Sequence, residues 1–141
     1  MDQGNTAFVL ISAALVLLMT PGLAFFYGGM VKAKSVVSMM MLSFGSLGLI
    51  GVLWVLYGYA IAFSNGGSDT FIGIDGWFGI DTSFIGLNAQ VADALDPQGA
   101  YPTLAFVAFQ ATFAIITVAL ISGAIADRAK FGAWMVFAGI W

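Results

Sequence analysis

Phe109 and Phe113 lie four residues apart in an uncharged run, FVAFQATFAIITVAL, residues 106–120. If the run is helical, that spacing puts both rings on one face, a single turn apart. The face of an aromatic ring attracts a cation by roughly 0.5–2 kcal/mol, and by more where water is excluded. Ile116 and Leu120 continue the pattern, so the four side chains are expected to line one stripe. Such a stripe either packs against another helix or offers a cation two rings above an apolar wall. An ion passing the rings would meet a desolvation cost of several kcal/mol, which a small neutral molecule largely escapes. The second arrangement therefore suits a weak base that arrives as a cation and sheds its proton on entry.

Other chemistries lack their residues. The chain has no histidine and no cysteine, so serine or cysteine triads cannot form within it and metal sites lose their usual ligands. Asp69, Asp75 and Asp81 are six residues apart, unlike a calcium loop, and read as outer-loop charges. GSLGLIG, residues 45–51, has no following lysine and no preceding strand, so it is not a phosphate loop. Gly45, Gly48 and Gly51 instead suit close helix packing. The chain is not expected to be an enzyme, to carry a metal or cofactor, or to bind nucleic acid.

The elements that must position the rings follow from composition. Of 141 residues, 61% are hydrophobic and 8% charged, too few to give a soluble domain a polar exterior. Crossing a bilayer takes about 20 apolar helical residues. Spans are expected at 7–31, 36–63 and 102–126; each must be a helix or a barrel strand because lipid offers the backbone no partners, and spans of this length and apolarity mean helices. GAWMVFAGIW, residues 132–141, makes roughly 15 Å of helix, about half a bilayer. The fold class is thus an all-α polytopic membrane bundle, with three complete helices and the start of a fourth. The chain reads as the amino-terminal part of one longer membrane domain. No basic n-region precedes the first span, so no signal peptide is expected.

Pro21 and Gly22, within TPGLAFFYGGMV, should bend or loosen the first span, as a packing kink or as a helix shaped around a pore. Loop 64–101 opens with the turn signal SNGGSD and mixes glycine with Phe71, Trp77, Phe78 and Phe84, which suits the outer interface. NAQVADALD, residues 88–96, reads as a short surface helix, and Pro102 fits a helix first turn.

Three segments carry a resemblance to the ammonium transporter family: PGLAFFYGGMV (21–31), VLWVLYGYAIAF (52–63) and AFQATFAIITVALISGAIADRAKF (108–131). Together with the register of the fourth helix, the likeness runs from about residue 7 to 141. It implies an eleven-helix fold of two inverted five-helix repeats, assembled as a homotrimer in the cell membrane with one pore per subunit. Phe113 would be the ring gating the outer mouth and part of a cation-π ammonium site, with Phe109 beside it. Ile116 and Leu120 would line the pore wall, and Leu23, Phe26 and Tyr27 its inner half. Leu23 lies about 24 Å from the outer end of its span, level with Ile116 and Leu120. The family's paired pore histidines fall in later helices, as do its vestibule tryptophan and serine and a structural aspartate. Asp127 stands where many relatives have glutamate. The implied partners are ammonium or ammonia, lipid, further copies of the chain, and a cytoplasmic regulator such as a PII-type signal protein. An ammonium sensor of the same fold, coupled to a signalling partner, is the alternative; an interaction subunit without its own pore is a third reading.

Charge sets the expected orientation. Lys32 and Lys34 follow the first span, Arg128 and Lys130 follow the third, and six of the seven acids lie elsewhere. The positive-inside rule puts both basic loops in the cytoplasm, with the amino terminus and loop 64–101 outside. Ser68→Cys should then react with an impermeant thiol reagent from outside and Ala129→Cys from inside. Labelling with the sides reversed would overturn this orientation.

Overall fold

The computed structural model describes residues 2–63, 70–74, 78–88 and 101–141. Helix α1 runs Gln3–Met30. The Asp2 carboxylate opens it by accepting the Gly4 N–H at 2.9 Å, one of the donors a helix start leaves unpaired. A 3-10 turn, Ala33–Ser35, leads into α2, Val36–Leu53. A π-helical turn, Trp54–Gly58, and a short helix α3, Tyr59–Phe63, extend the same rod. Helix α4 spans Thr103–Ile121, tightens into a 3-10 turn at Ser122–Ile125, and is followed by α5, Phe131–Ile140. The rods Gln3–Met30, Ala33–Phe63 and Thr103–Ile125 are long and apolar enough to cross a membrane.

Pro21 does not interrupt α1, which is helical on both sides of it. Pro102 stands just before α4, one position outside the first turn expected for it. Between α3 and α4 the chain forms a feature the sequence did not suggest, a two-stranded antiparallel hairpin. Strand β1, Thr70–Ile74, pairs with β2, Phe78–Asp81, with an irregularity between Thr70 and Ile72. Most of the surface helix expected at 88–96 lies outside the described residues.

α1 packs through small side chains. Its buried residues are Ala13, Thr20, Ala24 and Gly28, a stripe that lets a neighbouring helix approach closely. A Cβ at Gly28 would already touch the Met40 side chain at 3.3 Å. Of the three glycines in α2, only Gly45 is a close contact: a Cβ there would lie 2.8 Å from the Phe131 ring. Gly48 has nothing within 4 Å, and Gly51 meets Ile115 at an ordinary 3.8 Å. A three-residue spacing rotates each glycine about 60° from the last, so one neighbour cannot cover all three.

The core lies between α2, α4 and α5, where Met39, Leu42, Ile50, Ile115, Val118, Trp134 and Ala138 cluster. At its centre Trp134 is 1% exposed. Its indole N–H donates to the Leu42 carbonyl at 3.0 Å and to the Ser46 oxygen at 3.1 Å. Ser46 donates its own proton back to the Leu42 carbonyl at 2.9 Å. Two further donors join the rods: the Trp54 N–H reaches the Val107 carbonyl at 3.2 Å, and the Tyr57 hydroxyl reaches the Gly139 carbonyl at 3.3 Å.

Trp134→Phe keeps most of the apolar volume but deletes the donor. It should lower resistance to unfolding in detergent by about 1 kcal/mol, the scale of one such bond between membrane helices. A variant as stable as the parent would show that the indole N–H contributes packing alone.

Candidate functional site

Phe63 at the end of α3 meets Phe106 near the start of α4, and Gly51, further back along α2, lies beside Ile115, further along α4. α4 is therefore antiparallel to the α2–α3 rod and runs in the same direction as α1. One bond sets the relative height of α1 and α4: the Tyr27 hydroxyl donates to the Leu120 carbonyl at 3.1 Å. One turn back along each helix, Leu23 comes level with Ile116, the height expected from the sequence. A Cβ at Gly123 would lie 2.8 Å from the Tyr27 ring and 2.9 Å from its oxygen, so the bare glycine makes room for the tyrosine.

Phe109 and Phe113 meet edge to face, with centroids 5.0 Å apart and planes at 78°. Phe109 is half-buried, while Phe113 stays 41% exposed. Leu120, two turns deeper, is 50% exposed, but Ile116 is 6% exposed and does not share the open face. The open face of α4 instead runs Phe113, Thr117, Leu120, Ala124, all exposed and spaced 4, 3, 4. On α1, Phe26 is 63% exposed, Leu23 and Tyr27 are half-buried, and the Phe26 and Tyr27 rings lie 6.0 Å apart. The structure thus brings Tyr27 together with Leu120, and Phe109 with Phe113.

Two threonines attach to the ring-bearing turns. Thr112 donates its hydroxyl proton to the Phe109 carbonyl at 2.6 Å, and Thr117 donates to the Phe113 carbonyl at 2.7 Å. Thr112 is buried and Thr117 exposed. Towards the hairpin end a second aromatic group gathers: Tyr59 stacks on Phe63 at 4.9 Å and on Phe84 at 6.1 Å, and Phe63 meets Phe106 edge-on at 5.5 Å. Beside α4, Ile50, Trp54, Tyr57, Ala114, Thr117 and Val118 help line a largely apolar cavity of about 340 Å³. Among the described residues no cluster of acidic side chains could hold a metal ion. Thr117, Gly123, Tyr59, Phe63 and Phe106 were not singled out from sequence, whereas Phe84 was expected at the outer interface. Gly123 follows Ser122 in a run that otherwise reads as helix, and the remaining residues carry no local signal.

The model of the Ammonium Transporter Family matches residues 7–141. The chain is 54% identical over 147 residues to an ammonium transporter of Mycobacterium bovis, with 99% of this chain and 31% of that protein covered. It is 45% identical to an ammonium transporter of Bacillus subtilis, with 100% and 33% covered. The crystal structure of Candida albicans Mep2 superimposes with a TM-score of 0.80 at 26% identity, covering 100% of this chain and 29% of that one. Saccharomyces cerevisiae Mep2 gives 0.77 at 27%, covering 100% and 30%. The chain spans about a third of the length of the curated relatives it matches.

Gly123→Ala should push the Tyr27 ring off its seat, at a cost of about 1–3 kcal/mol for overpacking. Most of that cost should vanish in a Tyr27→Ala background, because the two changes share one contact. Gly132→Ala, with nothing within 4 Å, should be neutral or slightly stabilising. Equal costs for Gly123→Ala with and without the ring would dissociate the glycine from the tyrosine. Thermal unfolding of the purified variants measures all three.

Proposed function

Because the chain belongs to the ammonium transporter family, we propose that it forms one wall of an ammonium-conducting pore. The observation that carries this reading is the Phe113 ring, 41% exposed and braced edge to face by Phe109 above a face that continues as Thr117, Leu120 and Ala124. A ring so placed can attract the ammonium cation. The mostly hydrocarbon wall beyond it penalises the charge and lets neutral ammonia through. Phe113 is the binding face and outer gate, with Phe109 as its neighbour. Leu120, Leu23, Phe26 and Tyr27 line the inner path. Ile116 supports that wall from a buried position. The released proton needs an acceptor from outside this chain, which contains no histidine.

The working unit in this reading is a homotrimer in the plasma membrane, with its amino terminus outside. Its cytoplasmic face, bearing Lys32, Lys34, Arg128 and Lys130, is where a PII-type regulator would meet it. Relatives described as transporters favour conduction over sensing.

Phe113→Leu keeps apolar bulk and removes the ring quadrupole. In liposomes holding the transporter that contains this chain, it should weaken apparent ammonium affinity by roughly 0.5–2 kcal/mol, about two- to thirtyfold. Phe109→Leu should do less. If Phe113→Leu transports like the parent at limiting ammonium, the rings serve only as packing.

A further inference from the structure

The open face of α4 carries one hydroxyl, that of Thr117, between Phe113 and Leu120. It lies about 6 Å deeper along the helix than the Phe113 ring, at about 1.5 Å per residue. The hydroxyl has one proton, and that proton is given to the Phe113 carbonyl at 2.7 Å. What remains towards the open side is an oxygen with lone pairs and no proton to offer. Donating to a carbonyl also polarises the oxygen, which strengthens it as an acceptor. Tyr57 borders the same cavity and likewise gives its proton to a carbonyl, that of Gly139 at 3.3 Å, but its oxygen stands on the rod opposite and not on the face that carries Phe113; Trp54 has only its N–H, given to Val107.

Thr112 provides the contrast. It makes a similar local bond, reaching three residues back to the Phe109 carbonyl at 2.6 Å where Thr117 reaches four, yet it is only 6% exposed. The two threonines thus differ in access, while each gives its proton to a main-chain carbonyl of the preceding turn.

We propose that the Thr117 oxygen is a second contact for the permeating species, accepting an N–H from ammonium or ammonia just beyond the Phe113 ring. The contact rests on the transport reading above. It gives the bound species an oxygen partner at the point where the ring's attraction ends and the hydrocarbon wall begins. It also discriminates by chemistry, because methylammonium presents a methyl group in one of the four positions where ammonium has an N–H.

The test is uptake and current in liposomes holding the transporter that contains this chain, with ammonium and methylammonium as substrates. Thr117→Val is nearly isosteric and removes the acceptor. It should raise the apparent KM for ammonium roughly three- to tenfold, the scale of one hydrogen bond, at unchanged trimer yield. It should also narrow the preference for ammonium over methylammonium. Thr117→Ser, which keeps the oxygen, should retain the parent values, and Thr112→Val should leave KM alone. A transporting parent whose KM and preference are matched by Thr117→Val overturns the contact and leaves the transport reading intact. A Thr117→Ser variant that fails like Thr117→Val overturns it too, because the β-methyl would then be what matters. A parent that moves no ammonium overturns both readings.

Discussion

Aromatic donors stitch these helices together through main-chain carbonyls. Trp134 reaches Leu42, Trp54 reaches Val107, Tyr57 reaches Gly139 and Tyr27 reaches Leu120, each across more than fifty residues of sequence. In lipid, burial of apolar surface does little to bring helices together, because the solvent is as apolar as the side chains. A helix carbonyl already holds one backbone N–H and still has a lone pair to offer. Indole and phenol rings can spend most of their surface in hydrocarbon and place a single proton on that lone pair. Each bond is worth only about 1 kcal/mol, but each also fixes the height of one rod against another.

Heights matter because the candidate site is assembled from α1 and α4, which are distant in sequence and parallel in space. The Tyr27–Leu120 bond aligns them, and Gly123 makes that bond possible. The same alignment sets the inner aromatic residues of α1 below Phe113. Within α4 the threonine bonds to the Phe109 and Phe113 carbonyls tie each ring-bearing turn to the turn beneath it. Such back-bonding competes mildly with the helix ladder and often bends it. Here it falls on both ring-bearing turns.

Composition and charge carried the large features. Runs without charge and long enough to span hydrocarbon left helices as the only economical answer, and all three appear. The Phe109–Phe113 pair was legible because residues four apart on a helix must be neighbours. The burial of Ile116 was not legible, for a related reason. A stripe read from spacing is about 60° wide, and which edge is covered depends on the neighbouring helix. The Gly45, Gly48 and Gly51 series failed the same way, with one glycine in close contact. The hairpin at Thr70–Asp81 sits in a glycine-rich segment whose turn signals announced a loop but not its pairing. Gly123 and Thr117 depend on partners that no local pattern names.

The π-helical turn at Trp54–Gly58 has a consequence for the history of this helix. The Tyr59 N–H bonds back to Trp54, five residues away, so the turn holds one residue more than an α-helix allows. It behaves as an insertion absorbed without breaking the rod. Deleting one residue there would restore regular winding and leave the residues beyond it close to their present phase, because the bulge fits one extra residue into the rotation of an ordinary turn. Tyr59 and Phe63 would still face Phe84 and Phe106, and Met39 to Ile50 would stay in place on the core side. The bulge therefore lets the rod tolerate a single-residue change in length while the outer aromatic group and the helix packing beneath it both keep their partners.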